Sequence, residues 1–242
     1  MAGTTTFQGF KPAALTFFRG LAKNNTKAWF ESRREIYEAE VREPMKALVD
    51  EMDARFGRFG PEIIGDPRRA IFRINRDIRF SKDKSPYKTH AACWFNHGNA
   101  TRQVGQEAES GSAGFYFHLE PGTSFLGAGI WMPPRGQLGK IRDALAEDPK
   151  GFGAVVEAPA VKRRYGKLED ESMLTRLPRG YEPGHPAERW LRYQSFTMGR
   201  AIMEREVLGS KLPQILERDY KALLPLVRWL NSALGYKPAK AR

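Results

Sequence analysis

The chain has a single cysteine, Cys93, in 242 residues. That excludes an internal disulfide and fits a reducing compartment. No apolar run approaches the roughly 20 residues that a membrane-spanning helix needs. Residues 1–10 carry neither the basic region nor the apolar region of a secretory leader. The expected setting is therefore cytoplasmic, and no membrane partner is expected. Acidic residues are also scarce, 28 Asp and Glu against 40 Lys and Arg, for a net charge of +12. This balance favours anionic partners, among them nucleic acid and phosphorylated metabolites, without choosing between them. The common catalytic signatures are missing: there is no G-x-S-x-G, no Walker A and no dinucleotide fingerprint. Gly127-Ala-Gly-Ile-Trp131 lacks the third glycine of the last and reads as a close-packed strand beside Trp131. The four histidines, His90, His97, His118 and His185, show no metal-ligand spacing. No metal and no cofactor are expected.

What is present belongs to a globular protein. Apolar residues make up 41% and aromatics 12%, and a chain of this length can bury a sizeable core. Leu15, Phe18 and Ala22 recur at helical spacing behind Pro12, so a helix is predicted over 12–23. Asn25 or Thr26 can cap a second, longer helix carrying Trp29, Tyr37, Val41, Met45, Leu48, Met52 and Phe56 on one stripe. Pro44 should kink or divide that helix, and Gly57 should end it. Strands are expected over Thr89–Phe95, Gly114–Glu120, Ser124–Met132 and Leu191–Met198, with a flexible loop over 98–113. Asp148-Pro149 should start a short helix. Ser210 should cap a C-terminal helix that Pro225 interrupts and Gly235 ends.

One segment stands apart. Residues 68–90 hold eight Lys/Arg against two Asp, a net of +6 and half of the chain's excess. Within it, 71–80 alternates: Phe72, Ile74, Ile78 and Phe80 fall on one face, and Arg73, Asn75, Asp77 and Arg79 on the other. Period two predicts a half-buried strand, with Ser81–Pro86 as a charged turn. In that geometry Arg73 and Arg79 flank Asp77 and share its charge. Arg76 lands on the apolar face as a buried structural arginine. Lys84 and Lys88 follow the turn, and Tyr87 offers a phenol donor. Guanidinium forks and ammonium groups in excess of carboxylates suit a phosphate or carboxylate ligand. The competing reading is a structural ion-pair network that includes Asp83.

Elsewhere the chemistry is sparser. His118-Leu-Glu120 puts an imidazole and a carboxylate on one strand face, as a general base with its orienter or as ordinary strand residues, the commoner case. Cys93 reads as a core residue. Trp94, Tyr116 and Trp131 could stack on bases, although aromatics in such strands are more often core.

The basic segment also carries a pattern, R-x-x-R-D-x-R-F followed by D-K-x-x-Y, filled by Arg73, Arg76, Asp77, Arg79, Phe80, Asp83, Lys84 and Tyr87. Further matches are Asn24-Asn25-x-Lys27-x-Trp29-Phe30, Gly114-Phe-Tyr-Phe-His118, Gly129-Ile-Trp131, Leu177-Pro-Arg-Gly-Tyr181 and Ser195-Phe196. On these residues the chain resembles the bacterial and fungal family called domain of unknown function 2461, over nearly its whole length. The resemblance implies no activity, substrate or cofactor.

The expectation is one α+β domain over 1–242: helical over 12–57, a strand-rich core over 70–132 and a mixed region over 134–236 ending in helix. A mostly antiparallel central sheet would be flanked by the N-terminal and C-terminal helices. The expected function is binding of a small phosphorylated or carboxylated ligand by Arg73, Arg79, Lys84, Tyr87 and Lys88, supported by Arg76, Asp77 and Asp83. A nucleic-acid-binding module and a scaffold with a structural Arg/Asp network are the alternatives. The sequence assigns no catalytic residue and no oligomeric state.

Overall fold

The computed structural model describes residues 6–79, 82–100 and 111–239. Helix α1 spans Pro12–Lys23 and buries Leu15, Phe17, Phe18 and Leu21. Thr26 caps α2 (Lys27–Glu31), its hydroxyl accepting from the Trp29 N–H at 3.3 Å.

The single long helix expected next is divided. It runs as α3 (Arg34–Tyr37), a π-helical turn over Glu38–Arg42, and α4 (Glu43–Phe59). In a regular α-helix the Pro44 ring would strike the Glu40 carbonyl, and the widened turn just before it relieves that clash. Gly57 does not stop the helix. Gly60 does, its N–H donating to the Phe56 carbonyl at 2.9 Å. A glycine can end a helix, but Phe59, packed against the core with its ring 5.1 Å from that of Phe56, carries the last turn past Gly57.

Among the described residues, five antiparallel strands follow in sheet order β1-β2-β3-β4-β5: Ile63–Ile64, Ala91–His97, Gly114–Leu119, Phe125–Ile130 and Phe196–Ala201. β1 has only two residues, too short for any periodicity to show. Leu191 belongs to a helical turn, Glu188–Leu191, so the strand expected over Leu191–Met198 starts only at Phe196. Most of the loop expected over 98–113 lies outside the described residues. With the helices around this sheet, the fold is α+β.

Past β4 come α5 (Arg135–Glu147), α6 (Pro149–Val156) and α7 (Pro159–Tyr165), then α8 (Leu212–Ala233). Asp148 caps α6 by accepting from the Gly151 N–H at 2.8 Å. Ser210 does not cap α8; Lys211 occupies that position without a side-chain bond. Pro225 does not interrupt α8 either. Leu223, Leu224, Leu226 and Val227 are buried on both sides of it, and each buried side chain is worth about 1.5–3 kcal/mol. That outweighs the roughly 3 kcal/mol an internal proline costs.

The two sheet faces differ, as strand alternation requires. Cys93, Phe95, Phe115, Phe117, Leu126 and Phe196 are buried against the helices. Phe115 stacks on Phe56 of α4 at 5.5 Å and lies 4.5 Å from Tyr220 of α8. The opposite face carries Trp94, Tyr116 and Gly127 in register, and beside them Ala92, His118 and Phe125. This second face is where the chemistry collects. Trp131, just past the end of β4, is 72% exposed. The close approach is at Gly129, where φ is +125° and a Cβ would lie 1.9 Å from the Phe196 carbonyl oxygen.

Among the described residues, 71–79, the expected strand does not form. Of the described residues in this segment, Ile71 and Asn75 make isolated β-bridges, to Cys93 and Tyr87. The segment folds back on itself as an irregular hairpin, with Arg76 N–H on Pro86 O (2.9 Å) and Lys88 N–H on Ile74 O (2.8 Å). The cause is local. Asp77 accepts from the Arg79 N–H at 3.2 Å, and Asp83 from the Ser85 N–H at 2.9 Å. Such side-chain bonds two residues on compete with a strand ladder and favour turns. Ile78, expected to be buried, is 43% exposed. Phe80 lies outside the described residues. No helix among the described residues is long and apolar enough to cross a membrane.

Candidate functional site

The hairpin is anchored by a distant part of the chain. Asn25, between α1 and α2, donates to the Tyr87 carbonyl at 2.9 Å and accepts from the Tyr87 N–H at 3.1 Å. The Tyr87 ring stacks on Phe30 at 4.2 Å and is 5% exposed. Tyr87 is therefore a core residue holding the hairpin down, and its ring does not stand among the exposed cations. Arg76 also braces the hairpin. Its guanidinium contacts Asp83 at 3.1 Å and donates to the Tyr87 carbonyl at 3.3 Å, with 27% of the side chain exposed.

The remaining cations are more open. Arg79 grips Asp77 with two bonds, Nε to Oδ1 at 3.0 Å and Nη2 to Oδ2 at 2.7 Å. Arg73 reaches the same Oδ2 at 3.9 Å. Bonds from Arg79 hold the Asp77 carboxyl well below the usual carboxylate range, with the Arg73 charge adding to the effect. Arg73 and Arg79 are 66% and 73% exposed. Lys84 and Lys88 contact neutral groups: Lys84 Nζ donates to the Ile78 carbonyl at 2.8 Å and Lys88 Nζ to the Arg73 carbonyl at 3.0 Å. Burial, then the Arg73 and Arg76 charges, push the Lys88 ammonium below its ordinary value. The structure thus brings Arg73, Asp77 and Arg79 together and seats Lys88 beside Arg73. Lys84 sits further along the hairpin.

Past Lys88 the chain enters the open sheet face, where Lys88 lies 5.4 Å above the Phe72 ring and Phe72 meets Tyr116 edge-on. A hydrogen-bonded row begins there. Tyr116 Oη meets His118 Nδ1 at 3.0 Å, and His118 Nε2 meets Glu120 Oε2 at 3.1 Å. Thr89 donates to Glu120 Oε1 at 3.2 Å and Thr123 to Oε2 at 3.0 Å. His90 and Phe125 cover His118, with ring centroids at 4.2 and 4.7 Å. Burial holds His90 down at about 4, with the His118, Lys88 and Arg76 charges acting in the same direction against Glu120. Burial also lowers His118, against the opposing pull of Glu120. Burial raises the Tyr116 phenol far above its usual value.

His90, His118 and Glu120 each offer a ligand atom, all within 4.8 Å of one another. Spacing along the sequence does not reveal this, because His90 and His118 stand on different segments. The available signal was the Tyr116-x-His118-x-Glu120 alternation on one strand face.

A groove lined by Glu147, Asp148, Lys150, Glu157 and Trp190 lies elsewhere, along α6. It gathers carboxylates and is poorly suited to an anion.

These features define an α+β protein with a basic hairpin bordering an imidazole–carboxylate row on the open face of its sheet. The family model described as "Conserved hypothetical protein (DUF2461)" matches residues 13–229, and the chain belongs to that family. No curated protein and no solved structure matches it.

Proposed function

We propose that the protein binds a small anionic ligand, phosphorylated or carboxylated, at the basic hairpin and the sheet face beside it. Arg73, Arg79 and Lys88 supply the charge, Lys84 adds to it along the hairpin, and Asp77 holds the two arginines together. Arg76, Asp83 and Tyr87 keep the hairpin in place.

The observation that carries this reading is the unbalanced charge around Lys88. Its ammonium has a carbonyl for a partner, and the charges that shift it are the cations Arg73 and Arg76. A scaffold role fits less well. Exposed pairs such as Arg79–Asp77 are screened by solvent and contribute little, so stability alone gives little reason to concentrate cations there. An anion entering this field would gain charge-assisted bonds from planar forks.

The test is a thermal-shift screen of nucleotides, sugar phosphates and small carboxylates. The expected result is stabilisation by a subset of these ligands that persists at raised salt. Binding only to nucleic acid, weakening steeply with added salt, would favour the nucleic-acid module instead.

A further inference from the structure

We propose that His90, His118 and Glu120 form a site for one divalent transition-metal ion of the zinc class. Two imidazoles and one carboxylate are the donor types such ions take. Three protein ligands would leave the remaining coordination positions to water or to an oxygen of a bound ligand. This inference stands on the cluster alone and does not depend on the anion reading.

Three observations carry it. The first is spacing. Zinc ligands sit about 2.0–2.2 Å from the ion, so two of them in tetrahedral array lie about 3.4 Å apart. His118 Nε2 and Glu120 Oε2 are 3.1 Å apart, and all three ligand atoms fall within 4.8 Å. An ion could replace the His118–Glu120 hydrogen bond with little side-chain movement.

The second is orientation. Metal-bound histidines usually engage an oxygen through the other ring nitrogen. His118 does this with the Tyr116 hydroxyl at Nδ1, which leaves Nε2 aimed at Glu120. Both Glu120 oxygens are steadied by hydroxyls, from Thr89 and Thr123.

The third is confinement. His118 is 7% exposed and sandwiched between the His90 and Phe125 rings. Its ring direction is therefore fixed before an ion arrives. The nearby cations Lys88 and Arg76 oppose a second positive centre, and an anionic co-ligand on the ion would offset that repulsion.

The full chain should be stripped with a chelator and titrated with Zn2+, with Co2+ as the optical probe. About one bound equivalent per chain is expected, with visible Co2+ bands of a low-coordinate site. His118→Ala and Glu120→Gln should each lose the bands and most of the bound metal, while His185→Ala should retain both. If His118→Ala does not fold, Tyr116→Phe and Thr123→Ala should still fold and bind about tenfold more weakly. No retained ion, or equal binding by parent, His118→Ala and Glu120→Gln, would overturn the proposal. A failed anion screen would leave this result unaffected, and the reverse also holds.

Discussion

Arg76 and Arg79 stand three residues apart in one motif and do different physical work. Arg76 is half-buried and bonded to Asp83 and to the Tyr87 carbonyl. Arg79 is 73% exposed and bonded to Asp77. Removing Arg76 takes away one of the two donors on the Tyr87 carbonyl, the other being Asn25, together with a half-buried guanidinium; a hydrogen bond from a charged group is worth about 1.5–3 kcal/mol. Removing Arg79 breaks an exposed, solvent-screened pair that adds little to stability. Urea melts should therefore show Arg76→Ala clearly less stable than Arg79→Ala; equal losses would refute this division. The different environments of the two arginines were legible in the alternation of 71–80, although the strand that alternation predicts does not form. Parity survived around Ile74 and Arg76 because Asn75 between them forms a β-bridge with Tyr87. The ladder was lost because Asp77 and Asp83 satisfy neighbouring N–H groups themselves.

Among elements, the hairpin depends on the junction between α1 and α2. Asn25 exchanges two hydrogen bonds with the Tyr87 backbone, and Phe30 stacks on the Tyr87 ring. Asn25→Ala should cost about 1–3 kcal/mol. It should also speed amide exchange at Tyr87 and Lys88 more than in β3. Unchanged exchange at those amides would show that the hairpin holds without this anchor. The sequence displayed both partners, Asn24-Asn25-x-Lys-x-Trp29-Phe30 and Asp83-Lys84-x-x-Tyr87, yet gave no sign that they touch, since their contact spans 62 residues. The row from Tyr116 to Glu120 was visible as a strand alternation. His90 above it was not, because its position depends on how the hairpin re-enters β2.

Across the whole molecule, Asp219 ties distant segments together. Its fully buried carboxylate bonds Arg164 and Tyr165 of α7 and Arg200 of β5, at 2.5, 2.7 and 2.7 Å. Burial pushes this carboxyl up, but the bonds from Arg164, Arg200 and Tyr165 outweigh it and hold it at about 2, below the ordinary 3.8. The folded state thus binds fewer protons than the unfolded state between those values. The resulting stability is complete above about pH 3.8 and is lost as the pH falls toward 2. Asp219→Asn should destabilise the protein near neutrality by removing the buried charge that Arg164 and Arg200 share; because Arg164 is 37% exposed and Arg200 keeps Glu206 at 3.6 Å, the loss should fall below the roughly 3–5 kcal/mol of a fully buried broken pair, and its acid unfolding limb should be flatter than that of the parent. A variant as stable as the parent would contradict the assignment. The antiparallel sheet between terminal helices was legible at this scale, because apolar periodicity records burial. Polar ties such as Asp219–Arg200 were not, because charge patterns along a helix look alike whether they meet a partner or water.

The central claim is that the hairpin cations bind a small anion. It is tested most directly by titration calorimetry of the best-stabilising phosphorylated or carboxylated ligand against the parent and the Arg73→Ala/Arg79→Ala double variant. The parent should bind at one site. The double variant should keep the parent's fold and bind at least about tenfold more weakly, equivalent to 1.4 kcal/mol or more. Equal affinity in the two proteins, or no anion that binds the parent, would contradict it.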